Sequence, residues 1–162
     1  YPRNPLYPDL GLHTIIADKT GDAFILEEGS NTNAVSPIYN DFIVMTNFPN
    51  GKFKETNYKE VHGIGADRYI CAYEYINNID SFGINEAFEV LNKTSQENTL
   101  CTIVYEPLKN EIYISFKKDL RKKWKISLMD KTIQSLDGFL SNNKIQFTNG
   151  EIYVKDLITL YK

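Results

Sequence analysis

His13 to Glu27 reads HTIIADKTGDAFILE. Two apolar runs, HTIIAD and AFILE, flank Lys19-Thr20-Gly21-Asp22. Gly21 supplies the positive φ that a tight turn needs, so the spacing predicts an antiparallel β-hairpin. Asp18 and Asp22 bracket that turn. Calcium would need further oxygen ligands at alternating spacing, and none follow, so both carboxylates read as turn residues.

The pattern extends outward from this hairpin. Gly29 to Asn40 is polar and holds one Pro, the composition of a loop with room for a short strand. Phe42 to Thr46 is a run of β-formers and is expected to be the next strand, ending on Asn47 where Phe48-Pro49-Asn50-Gly51 turns the chain. Asn50 to Gly65 has no steady period and reads as an irregular excursion. Helices are expected over Ala66 to Ile79, with Tyr69, Ala72, Tyr73 and Ile76 on one stripe, and over Ile84 to Leu91, with Ile84, Ala87, Phe88 and Leu91 on another. Strands follow at Leu100 to Tyr105, Ile112 to Phe116 and Trp124 to Leu128, the first two joined by Pro107 to Asn110. Weaker strands fall at Ile145 to Thr148 and Ile152 to Val154 around Asn149-Gly150. Strands, two helices, then strands define an α+β class with an antiparallel sheet, read as a single domain over residues 1–162.

Bulk properties narrow the function. The 162 residues are 42% hydrophobic and 13% aromatic, enough for a packed core. No apolar run approaches the roughly 18 residues of a membrane span. A net charge of -3 gives no electrostatic case for nucleic acid. Lys117, Lys118, Arg121, Lys122 and Lys123 form the one basic cluster and read as a solvated turn. Cys71 and Cys101 make neither a disulfide framework nor a metal site, have no sequence-adjacent base, and read as small buried hydrophobes. Asn92-Lys93-Thr94 fits a glycosylation sequon, a short pattern of little weight. No glycine-rich phosphate loop, GxSxG elbow or metal-ligand spacing occurs, and no cofactor is implied. His13 opens a strand and reads as structural. His62, in a Gly-flanked loop, stays open between a structural and a chemical role.

Two residues remain as candidates. Asn47 closes a strand at a turn, where its amide N–H groups can face a cleft and stabilise a developing oxyanion. Bonding to its own backbone in a tight turn is the competing role. Arg68 falls in the first turn of a helix, where the dipole disfavours a cation. Its expected partner is a carboxylate such as Asp67 or Asp41, or a bound substrate.

These residues carry a resemblance. LHTIIADKTGDAFILE followed by a strand ending MTNFP, then GADRYICAYEYI and NTLCTIVYEPLKNEIYISF, resembles the linear amide C–N hydrolase group. That group comprises choloylglycine hydrolases, penicillin V acylases and acyl-CoA:6-aminopenicillanic acid acyltransferase-like proteins. The similarity runs from about Leu12 to Leu128. It implies an N-terminal nucleophile hydrolase, a four-layer αββα sandwich of which this chain supplies an antiparallel sheet with helices on one face. It also implies chemistry in which a Cys thiolate attacks a linear amide and its own α-amino group acts as base. On that resemblance Asn47 matches the oxyanion-hole asparagine and Arg68 the arginine assisting the nucleophile end. The short interval between them favours the acyltransferase-like branch. Tyr1 begins the chain and neither Cys can be an N-terminal nucleophile, so the expectation is a C-terminal portion, inactive alone. Its partners would be a small-molecule amide substrate and the missing N-terminal half or another chain. A homo-oligomer is the other way to cover a bare sheet edge. No nucleic acid or membrane partner is implied. The Asn-, Lys- and Ile-rich composition gives a bacterial impression, cytoplasmic or secreted. The alternative is a non-catalytic α+β binding or interaction domain built on the same scaffold.

Overall fold

The computed structural model describes residues 12–28, 34–38, 41–140 and 143–147. The class is α+β, with antiparallel sheets and two helices, and the chain divides into two compact units, Tyr1–Gly83 and Ile84–Lys162.

In the first unit the hairpin forms as its sequence dictates. Strands β1 (His13–Ala17) and β2 (Ala23–Glu27) pair antiparallel with His13 opposite Glu27 and Ala17 opposite Ala23. Gly21 takes φ +97 in the connection. Asp18 Oδ1 accepts from the Thr20 amide at 2.7 Å, an Asx turn, and its hydrogen bonds to Thr20 hold the carboxyl below its ordinary range. The loop after Glu28 does contain a short strand, β3 (Ala34–Pro37), which pairs with β2. As the centre strand, β2 is the most buried: Ile25 is inaccessible and Glu27 is 4% exposed.

Phe42 to Thr46 departs from expectation. Only Phe42 makes a bridge, and Ile43 to Thr46 lie outside any ladder. One side chain supplies a hydrogen bond that a neighbouring strand would otherwise make, and another ties the segment to Gly65. Asn50 Nδ2 donates to the Val44 carbonyl at 2.8 Å, and Thr46 Oγ1 donates to the Gly65 carbonyl at 2.9 Å. The excursion that follows holds two 3-10 helices, Asn50–Phe53 and Tyr58–Glu60. Helix α1 (Ala66–Asn77) then runs from the left-handed Gly65 to Asn78, two residues short of the expected end. Its buried positions are Ala66 and Ala72, with Tyr69 and Ile70 packed on Phe48, Val61 and Ala66.

The second unit pairs helix α2 (Ile84–Lys93) with a five-stranded antiparallel meander in the order β4 (Cys101–Glu106), β5 (Glu111–Phe116), β6 (Trp124–Ser127), β7 (Thr132–Ser135) and β8 (Lys144–Gln146). Strand β7 lies in a segment, TIQS, that gave no strand expectation; its period-2 pattern buries Ile133 and Ser135. Ile114, Phe116, Trp124, Ile126 and Ile133 make the core. On α2 the stripe rotates from the expected one: Val90 is buried and Leu91 is 37% exposed. Cys101 is exposed and Cys71 half-buried, against the expectation of two buried thiols. Strand β4 lies at one end of the meander and turns Cys101, Ile103 and Tyr105 outward while Thr102 is buried. The basic cluster begins in a turn where Lys117 and Lys118 both have positive φ. No helix among the described residues is long and apolar enough to cross a membrane. The Ile152 to Val154 strand and its Asn149-Gly150 turn lie outside the described residues.

One ionic cluster gives this unit a pH dependence. The Tyr113 hydroxyl donates to Glu111 Oε2 at 2.6 Å and Lys125 Nζ lies 3.1 Å from Oε1. The tyrosine bond foremost, with the ammonium adding, holds the Glu111 carboxyl below its ordinary value of 4.5, outweighing desolvation. Burial, then the bond to Glu111, pushes the Tyr113 phenol up. A carboxyl with a depressed folded pKa contributes stability above its unfolded pKa and loses it as pH falls through the folded one. Between about pH 5 and about pH 3, wild type should therefore lose more thermal stability than Glu111→Gln, measured as Tm by circular dichroism. Equal losses would show that the cluster contributes nothing.

Candidate functional site

Asn47 and Arg68, 21 residues apart, meet in the first unit: Arg68 Nη2 donates to Asn47 Oδ1 at 2.5 Å. A guanidinium carries donors only, so it can bond the amide oxygen and not the amide nitrogen. That fixes the carboxamide orientation. Oδ1 is committed to Arg68, and among the described residues Nδ2 makes no hydrogen bond, leaving its two N–H donors on an exposed side chain.

Three features of the fold set this geometry. Phe48, next to Asn47, is 3% exposed and packs edge-on against Phe53 and Tyr69 at 5.2 and 5.1 Å. The aromatic residue anchors the turn, so the preceding amide is left outside. Next, the Glu27 carboxylate holds the far side of the turn. Asn50 N–H donates to its Oε1 and Gly51 N–H to its Oε2, each at 2.6 Å. These are the first amides of the Asn50–Phe53 3-10 helix, which no intrahelical carbonyl satisfies. His13 Nδ1 lies 3.7 Å from the same carboxylate, which gives His13 a structural position. Finally, Gly65 brings α1 against the turn. It has φ +86, and a Cβ there would fall 2.8 Å from Arg68 Nη2, 3.2 Å from the Asn47 amide nitrogen and 3.3 Å from Thr46 Oγ1. Only glycine allows both the backbone angle and the approach.

The electrostatics favour an anion. Neither Asp41 nor Asp67, the carboxylates expected beside Arg68, pairs with it, and Arg68 makes no ion pair among the described residues. Its positive charge is therefore retained at the site. Gly65 gives α1 no side-chain cap, so the positive end of a 12-residue helix adds to the same field. Beside Arg68, burial and then the neighbouring Tyr73 push the Tyr69 phenol up, keeping it neutral.

Asn47 and Arg68 are brought together as a pair, and sequence reasoning had named both. Glu27 was missed; a Glu ending a strand carries no local sign that two amides more than 20 residues away will claim it. His62 is exposed, its ring edge on Phe53 at 4.9 Å, and stays outside the pair. Cys71 is three residues past Arg68 on α1 and, being internal, has no α-amino group to act as its base. No group of three or more His, Cys, Asp or Glu capable of holding a metal ion occurs among the described residues. Comparison with known proteins found no matching family model, no matching curated protein and no matching solved structure.

Two substitutions test the positioning. Glu27→Ala strands two backbone donors and should destabilise the first unit by about 3 kcal/mol, with Glu27→Gln costing less because its one amide oxygen still accepts. Equilibrium chemical denaturation followed by circular dichroism measures both, and a change below about 0.5 kcal/mol for the alanine variant would refute the clamp. Gly65→Ala should part Asn47 from Arg68, seen as loss of the nuclear Overhauser contact between the two side chains. Retention of that contact at full stability would count against the tight approach.

Proposed function

We propose that this chain carries the oxyanion-stabilising part of a Cys-dependent hydrolase or acyltransferase acting on linear amide C–N bonds. One observation carries the reading: the Arg68–Asn47 hydrogen bond, which leaves the Asn47 N–H donors outward beside an unpaired cation and a helix N-terminus. The resemblance of HTIIADKTG, MTNFP and GADRY to the amide hydrolase group supports it, and the antiparallel α+β class is compatible with a contribution to an αββα sandwich.

The chemistry follows from those atoms. When a thiolate adds to an amide carbonyl, negative charge moves onto the carbonyl oxygen. Nδ2–H donation from Asn47 meets that oxygen, and the guanidinium, already bonded to Oδ1, polarises the amide so that its N–H groups donate more strongly. Arg68 thus acts through Asn47 as a positioning residue. Collapse of the tetrahedral species breaks the C–N bond, and water or an acceptor amine then takes the acyl group. In this reading the nucleophile is a cysteine other than Cys71 or Cys101.

The test separates chemistry from fold. Asn47→Asp keeps an oxygen acceptor for Arg68 but replaces the two donors with a negative charge. Methylphosphonate, a small tetrahedral oxyanion, should shift the Asn47 side-chain amide resonances of the wild-type chain saturably. The aspartate variant should keep its Tm within a few degrees and lose the anion-induced shifts at this site. The 162-residue polypeptide alone should hydrolyse no amide. Turnover by it that Asn47→Ala abolishes, or anion binding that Asn47→Asp leaves intact, would contradict the reading.

A further inference from the structure

The second unit contains a cavity of about 780 Å³. Three segments wall it: the loop joining β5 to β6, which gives Lys117 to Arg121 and Lys123; Asp137 and Gly138 after β7; and Asn92 near the end of α2. The backbone ties two of them together. Leu136 N–H donates to the Lys123 carbonyl at 2.8 Å. Gly138 has φ +85, and a Cβ there would fall 2.5 Å from the Arg121 carbonyl oxygen, so only glycine lets the two loops meet.

The charges on this wall do not cancel. Lys117, Lys118, Arg121 and Lys123 stand against Asp119 and Asp137, an excess of two positive charges in a chain whose net charge is -3. Asp119 is committed to Arg121, whose Nε lies 2.9 Å from its Oδ1. Among the described residues, Lys117, Lys118 and Asp137 make no ion pair. Lys123 holds its ammonium 4.9 Å from the centroid of the Phe88 ring rather than on a carboxylate. Of the described lining residues, Leu120 is the one with an apolar side chain, so little here recognises an apolar guest.

The backbone gives a second, independent sign. Lys117 and Lys118 take φ +53 and +60, and Asp119 N–H donates to the Phe116 carbonyl at 3.1 Å, closing a tight turn over two left-handed residues. Asn-Gly suits such a pair, whereas lysine carries a steric cost at each position. A turn alone would be better served by those small residues, and strain of this kind collects where side chains have a use. Here it keeps two unpaired ammonium groups on the cavity wall.

We propose that this cavity binds the dianionic phosphate group of a small polar ester. The excess of two positive charges matches two negative charges on a single group, which a monocarboxylate does not carry, and lysine binds phosphate as a point charge. The volume lies within the small-molecule range of about 300–1,000 Å³, which leaves room for the rest of the ester. Asn92 and Asp137 offer that polar remainder an amide and an acceptor. The site uses none of the residues of the amide-hydrolase reading.

The probe is glycerol 3-phosphate, titrated at low salt into the 162-residue chain and followed by the amide resonances of Lys117, Lys118 and Gly138. At about pH 7.5, where the ester is a dianion, saturable shifts with a Kd of about 1 mM or tighter are expected. Methanesulfonate, tetrahedral but singly charged, should bind about tenfold more weakly. Acidifying to about pH 5 turns the ester into a monoanion while the lysines stay charged, and should weaken it about fivefold. Lys117→Asn combined with Lys118→Gly installs the pair the turn prefers. That variant should keep its Tm at or above wild type and lose about tenfold in affinity, so the loss is not one of folding. Asn47→Asp should leave the ester's binding unchanged, which tells failure here from failure of the oxyanion reading. The proposal is overturned if these resonances show no saturable shift by about 10 mM ester. Methanesulfonate binding as tightly as the ester, or wild-type affinity in the double variant, overturns it as well. So does sedimentation of the chain with phosphatidic-acid vesicles without any response to the soluble ester.

Discussion

A buried carboxylate organises the first unit. Glu27 ends the central strand of the three-stranded sheet at 4% exposure, and its two oxygens each accept a backbone N–H from the turn after Pro49. An ionised carboxylate pulled from water is tolerable only when its oxygens are hydrogen-bonded, and here backbone amides that lack any other partner do it. The exchange is mutual: the 3-10 helix obtains its N-terminal acceptor and the strand its buried charge a set of donors. Because the turn is tied to β2, the segment before it can hold its place without joining a sheet ladder.

The Asn47 half of the candidate site lies within a few residues of that tie. Phe48 goes inward, Asn47 stays outward, and Asn50 reaches back to Val44. From the other side, Gly65 lets the first turn of α1 come close enough for Arg68 to take the Asn47 oxygen. A cation in the first turn of a helix opposes the dipole, and its hydrogen bond to a neutral amide offsets little of that cost. An unpaired guanidinium beside two outward amide donors has a use in holding negative charge, the logic on which the proposed function rests.

The sequence was informative where period and turn chemistry are local. The β1–β2 hairpin follows from two apolar runs around Gly21, and both helices follow from i, i+3, i+4, i+7 stripes, with only their ends and the Val90–Leu91 face shifted. It misled at Phe42 to Thr46, because β-formers describe an extended backbone and not whether a neighbouring strand exists to pair with it. Strand β7 escaped notice because its inward positions are Ile133 and Ser135, and a buried serine looks like a polar one in a pattern. At the site, Asn47 and Arg68 were visible as residues out of keeping with their local surroundings. Their contact was not, since it spans 21 residues, and the carboxylates nearer in sequence looked like better partners.

The central claim is that Arg68 fixes the Asn47 carboxamide with its donors outward. The order parameter of the Asn47 side-chain Nδ2, from nitrogen-15 relaxation, reports this directly in wild type and in Arg68→Ala. The account predicts a value above about 0.8 in wild type that drops below about 0.6 when the guanidinium is removed. A carboxamide equally mobile in both proteins, or equally rigid in both, would contradict it.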